Sequence, residues 1–172
     1  MSEQANGNKS ITLFFLEDDR QMVEHLQDII GHAEIDMGSG FKTAWSATNL
    51  ADTEYRLECD PGIDEFTHFL FDIDVGYYKT RHGSVTVHYG ERTGYAGLDY
   101  ILYAYENESN PVFRDMMKAG HVAIFTGHSI EFLKNSKEIS EREVYCCLQD
   151  RCITKLGRDP SGDILKWLKG EK

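Results

Sequence analysis

Apolar residues gather in short, sharply bounded runs along the chain: ITLFFL at 11–16, FTHFLF at 66–71, HVAIFT at 121–126 and RCITK around 151–155. Runs of this length between polar flanks predict buried strands of a parallel sheet rather than half-exposed strands, which alternate. FKTAWSA at 41–47 reads as a further strand. Between the strands the apolar period lengthens. Met22, Val23, Leu26, Ile29 and Ile30 recur at helical spacing and predict an amphipathic helix over 19–31. Asn49 is placed as the N-cap of a helix through Leu50 and Leu57, and Leu98, Ile101, Leu102 and Tyr105 mark another. Pro111 starts a further turn or two through Met116 and Met117. Ser129 to Gln149 holds two helical pieces, because Ser140-Glu141-Arg142-Glu143 fits a capping box in its middle. A last helix spans about Asp163 to Lys169, with Ile164, Leu165 and Leu168 inward.

One segment breaks the alternation of strand and helix. Between Asp72 and Gly97, Val85, Val87 and Tyr89 alternate with Thr86 and His88, and His82-Gly83 offers a turn. This predicts a β-hairpin inserted after strand three, at about 77–95. The whole pattern is an α/β doubly wound, five-stranded parallel sheet carrying that insertion. A flexible N-terminus over residues 1–10 and a single domain over 11–170 are expected.

Composition narrows the function classes. The chain has 172 residues, 41% of them hydrophobic, enough for one core, and three prolines leave little room for a linker. Its 18 basic and 29 acidic residues give a net charge of -11, which opposes the attraction that sequence-independent nucleic-acid binding needs. No apolar run approaches the roughly 20 residues that span a bilayer, and the polar start lacks a signal-peptide core. Cys59, Cys146, Cys147 and Cys152 form no CxxC pair or zinc spacing and read as reduced thiols. A cytoplasmic protein without nucleic-acid or membrane partners is expected.

The chemistry lies at the strand ends. In an open α/β sheet, ligands bind outside the carboxyl ends of the strands. There the runs deliver Glu17-Asp18-Asp19, Asp72, Thr126 and Lys155. Carboxylates converging at one rim repel one another unless a hard divalent cation lies between them, so Glu17, Asp18 and Asp72 imply magnesium. A carboxylate can also accept a phosphoryl group as an acyl phosphate, the role assigned to Asp72. Thr126 would then donate to one phosphoryl oxygen and Lys155 would pair with another as a point charge. Taken singly, each residue has a plainer reading: Asp18 or Asp19 can cap the following helix, and His128 can be a surface or packing residue.

In order and position, these residues resemble the receiver domains of two-component response regulators, the CheY-like family. An acidic pair follows strand one (Glu17-Asp18), the phosphorylated aspartate ends strand three (Asp72), a threonine ends strand four (Thr126) and a lysine ends strand five (Lys155). Gly94-Tyr95-Ala96-Gly97-Leu98-Asp99 is similar to the family's glycine-rich lead-in to the third helix, and Gly127 is the small residue beside the threonine. The resemblance implies magnesium held through Asp18, Asp72 and the main-chain carbonyl of Asp74, with Glu17 acting through water. Three positions depart from the pattern. Leu156 replaces the usual proline after the lysine, Cys152 replaces the switch aromatic, and Gly76 stands where a proline often follows the phosphorylation loop.

The expected function is that of a stand-alone response-regulator receiver. It takes a phosphoryl group on Asp72 from a histidine kinase or phosphotransfer protein and signals through a protein target, a homodimer or onward transfer. It is a signalling domain with self-phosphorylation and self-dephosphorylation chemistry rather than an enzyme. Two alternatives compete. FLFDIDVG resembles the first motif of haloacid dehalogenase-type phosphatases, with Asp72 as nucleophile, Asp74 as general acid and Asp159 and Asp163 as late acids. The third reading is a degenerate binding module that works without phosphorylation.

Overall fold

The computed structural model describes residues 10–59, 62–76, 79–80, 83–84, 93–107, 111–128 and 139–171. The elements run β1 (Ile11–Leu16), α1 (Arg20–Met37), β2 (Phe41–Ala47), α2 (Leu50–Glu58), β3 (His68–Phe71), β4 (Lys79–Thr80), β5 (Gly83–Ser84), α3 (Ala96–Glu106), α4 (Pro111–Ala119), β6 (Val122–Thr126), α5 (Ile139–Leu148), β7 (Cys152–Thr154) and α6 (Pro160–Leu168). Five strands form one sheet in the order β2-β1-β3-β6-β7, with every neighbouring pair parallel. Counting only these strands, the order is 2-1-3-4-5, the flavodoxin-like doubly wound arrangement. The chain reverses its direction of travel across the sheet between β1 and β3, and such a switch point opens a crevice at the strands' carboxyl ends.

Both faces of the sheet are covered, which explains why its strands read as unbroken apolar runs. All six residues of β1 are buried. Phe14 and Leu16 point into one core with Phe69, Phe71, Val122 and Ile124, under α2, α3, α4 and α5. Leu13 and Phe15 point into the other with Leu70, Ala123 and Phe125, against Leu26, Ile29 and Ile30 of α1 and Ile164 and Leu168 of α6. The first core is rich in rings: Phe14 meets Phe66 edge-on at 5.3 Å, and Phe69 meets Phe113 edge-on at 5.5 Å. Such pairs add about 0.5–1.5 kcal/mol each beyond their buried area.

Element ends differ from the sequence reading in instructive ways. Helix α1 continues six residues past Gly31, and the chain leaves it at Gly38, whose φ of 51° suits glycine. Strand β3 begins at His68, because Ile63–Glu65 form a 3-10 turn that ends on Phe66. Helix α5 starts at Ile139, so Ser140 falls inside the helix instead of capping it. Within the insertion, Lys79 pairs with Ser84 and Thr80 with Gly83 in a short antiparallel ladder. Gly83 is therefore a strand residue rather than part of the turn. The alternating arm at 85–89 and the first helical piece expected after Ser129 lie outside the described residues. Among the described residues, no helix is long and apolar enough to cross a membrane.

Candidate functional site

The register of the sheet sets the site. Leu16 of β1 pairs with Phe71 of β3, so the next residues, Glu17 and Asp72, emerge side by side. The Asp72 N–H donates to the Leu16 carbonyl at 2.9 Å, and the Glu17 N–H to that of Ala47 at 3.1 Å. One strand further, Thr126 pairs with Thr154, and the Lys155 N–H donates to the Thr126 carbonyl at 2.8 Å. This bond fixes the start of the lysine without the proline that Leu156 replaces, while the Leu156 side chain itself is 84% exposed.

Lys155 reaches back under the rim. Its Nζ lies 2.7 Å from Asp72 Oδ2 and donates to Glu17 Oε1 at 3.1 Å. Glu17 and Asp72 are 0% and 1% exposed, so water contributes little to either carboxylate. Two buried carboxylates share one ammonium group, leaving an excess negative charge. Burial pushes both upward from their ordinary titration range, against the lowering pull of the hydrogen bonds from Lys155. Burial alone would lower Lys155, but its bonds to Asp72 and Glu17 outweigh that, and it is held above its usual value. Glu17 Oε2 sits 2.8 Å from the lysine Nζ in an ion-pair contact, yet it has no aligned hydrogen-bond donor among the described residues.

Oxygens of Glu17, Asp18 and Asp72 lie within 4.8 Å of one another. An all-oxygen set with one buried, undersatisfied carboxylate oxygen fits a hard divalent cation. Asp19, by contrast, is spent on the helix. Its side chain accepts from the N–H groups of Gln21 and Met22 and caps α1. The Asp18 carboxylate accepts from the Gly76 N–H at 3.3 Å, a donor that proline at this position would lack. Of the sequence-predicted site residues, Glu17, Asp18, Asp72 and Lys155 thus converge. Thr126 and Asp74 stand beside them with a different engagement.

The Asp74 side chain turns to Thr126 rather than to the acidic cluster. The buried Thr126 hydroxyl donates to Asp74 Oδ2 at 2.8 Å and accepts the His128 N–H at 3.1 Å. His128 Nε2 lies 3.2 Å from Asp74 Oδ1. The Asp74 main chain turns to Asp72 instead, donating its N–H to Asp72 Oδ1 at 3.0 Å. A Cβ added at Gly127 would meet nothing within 4 Å, so open space adjoins the threonine. Helix α3 closes the site from another side. A Cβ on Gly97 would lie 2.1 Å from the Asp72 carbonyl oxygen, so only glycine allows this approach. Asp99, two residues along and fully buried, accepts the Thr93 N–H at 2.9 Å. The engagement of His128 and Asp99 escaped the sequence reading, since neither ends a strand.

The late acids of the phosphatase reading lie elsewhere. Asp159 caps α6 by accepting the Gly162 N–H. Asp163 faces Lys166 at 3.9 Å and lines a groove with His68, His121 and Trp167, at the end of the sheet where β3 begins.

No family model matches the chain, and no curated protein matches it. Among solved structures it is similar to the RcsB response regulator of Salmonella typhimurium, described for its conformational dynamism in DNA interaction. The two share 9% identity at a TM-score of 0.48, over 95% of this chain and 61% of that one. The chain therefore spans less than two thirds of that structure's length. Strand order and register, independently of this likeness, give the doubly wound α/β fold in which receiver domains are built.

Proposed function

We propose that the chain is a receiver domain that accepts a phosphoryl group on Asp72 from a phosphohistidine donor, a histidine kinase or phosphotransfer protein, in the cytoplasm. The observation that carries this reading is Lys155 Nζ bridging the buried carboxylates of Asp72 and Glu17 at the switch-point rim, with the Thr126 hydroxyl one strand away. Two buried carboxylates against one ammonium leave a negative charge that a hard divalent cation would offset, and a phosphoryl-accepting site needs such a cation.

In the reaction, an Asp72 carboxylate oxygen attacks phosphorus. The new O–P bond forms as the donor's N–P bond breaks, and the electron pair leaves on the imidazole nitrogen. Asp18, Asp72 and the main-chain carbonyl of Asp74 would hold magnesium, with Glu17 acting through water. When bound, the cation supplies positive charge against the phosphoryl oxygens. The Asp74 N–H orients the nucleophile through Oδ1. Lys155 supplies a point charge on one side, and Thr126 a hydroxyl on the other. The output is a changed surface read by a protein target, a second copy or an onward histidine acceptor.

Acetyl phosphate with magnesium tests the proposal by intact mass and peptide mapping. One phosphoryl group is expected on Asp72, abolished in Asp72→Asn and reduced at least about tenfold in Lys155→Ala, the scale of a lost charged hydrogen bond. Steady turnover of phosphomonoesters that depends on Asp74 would overturn it in favour of a phosphatase.

A further inference from the structure

Building on the receiver reading, we infer that Asp74 is a positioning residue that latches the Thr126 hydroxyl away from the phosphoryl group, and that His128 and Tyr95 carry its release to the head of α3. A hydroxyl has one proton to give, and a carboxylate accepts. In Thr126 that proton goes to Asp74 Oδ2 at 2.8 Å, while the oxygen takes the His128 N–H. The threonine is 0% exposed, so water offers no alternative partner. Donation to a phosphoryl oxygen on Asp72 therefore requires the bond to Asp74 to break first.

The released carboxylate has a defined neighbour. Asp74 Oδ1 already lies 3.2 Å from His128 Nε2, and the His128 ring meets Tyr95 edge-on at 5.6 Å. Tyr95 immediately precedes α3. Its N–H donates to Thr93 Oγ1 at 3.1 Å, and Thr93 Oγ1 donates to the Tyr95 carbonyl at 3.2 Å. Thr93 is tied in turn to buried Asp99. A shift of the Asp74 carboxylate is thus felt where the chain returns from the 77–95 insertion. The same helix rests on the Asp72 carbonyl through Gly97, so its head touches the site twice. Position 152 on β7 carries a cysteine, and the contacts of the Thr126 hydroxyl are to Asp74, in the loop after β3, and to the His128 N–H.

Phosphorylation kinetics with acetyl phosphate and magnesium separate the latch from simple charge repulsion. Asp74→Ala frees the Thr126 hydroxyl and is expected to accept phosphoryl about tenfold faster than wild type, the net worth of one hydrogen bond to a charged group. Asp74→Asn removes the charge but keeps an acceptor oxygen, so its gain is smaller. In a Thr126→Val background, Asp74→Ala brings no gain. Equal gains in the Ala and Asn variants, or a gain that survives Thr126→Val, would overturn the latch in favour of repulsion. Wild-type uptake at Asp72 with no gain in Asp74→Ala would overturn the latch alone, whereas no wild-type uptake would overturn the receiver reading with it. For the relay, beryllofluoride with magnesium is expected to shift the Tyr95 ring resonances in wild type but not in His128→Ala. An unchanged shift in that variant would overturn the relay.

Discussion

Lys155 illustrates how one residue's geometry becomes a property of the protein. It supplies one positive charge to two buried carboxylates, and burial raises Glu17 from about 4.5 to about 7. The protonated form is thus favoured by folding, so this contribution to stability is fully present below pH 4.5 and is lost as pH rises through about 7. Without divalent cation, urea unfolding midpoints of Glu17→Gln are expected to lose that decline, since the amide keeps the shape without the charge. Magnesium, favouring the ionised cluster, should stabilise the wild type more at pH 7 than at pH 5. Glu17, Asp72, Thr126 and Lys155 were legible in the sequence because each directly ends an apolar run, and parallel register then places them together. Gly76, His128 and Tyr95 were not, because their roles depend on where loops cross the rim. Asp74 was legible as a nearby acid, but its partner was not.

Strands and helices were read to within a few residues wherever hydrophobic and polar positions separate cleanly. The main overrun, in α1, has a physical cause. Ile35 is 81% exposed and breaks the apolar stripe, so the helix seemed to end near Gly31, although Ala33 is fully buried beyond it. Two glycines in helices consequently make opposite predictions. Gly31→Ala adds a Cβ that meets nothing within 4 Å and should stabilise α1 by about 0.5–1 kcal/mol. Gly97→Ala places its Cβ 2.1 Å from the Asp72 carbonyl oxygen, forcing α3 off the backbone of Asp72 and Ile73. It should cost about 1–3 kcal/mol, as overpacking does, and lower magnesium affinity as well. Thermal unfolding and magnesium titration of the two variants check both signs.

At the scale of the whole molecule, the sheet has two poles, joined by β3. Asp72 follows its last residue, and His68 is its first. His68 is buried beside His121 and Trp167, with ring centroids 4.6 and 5.3 Å away. Burial, aided by His121, pushes it down to about 4 from 6.5. Its folded state favours the neutral ring, so its contribution is present above pH 6.5 and lost as pH falls through about 4, ~3 kcal/mol in all. This slope opposes that of Glu17. Wild-type stability should therefore vary less between pH 4.5 and 6.5 than that of Glu17→Gln or His68→Gln, as urea midpoints across that range would record. The second pole also carries a built-in lamp. Of the two tryptophans, Trp45 lies on edge strand β2 beneath the Arg56 guanidinium, while Trp167 donates its indole N–H to the Gly120 carbonyl and faces His68. Trp167 emission thus watches the foot of the strand whose other end bears Asp72. A change in colour or brightness on phosphorylation would mean that β3 transmits the event as a rigid rod, and constant light would mean that the response stays at the rim.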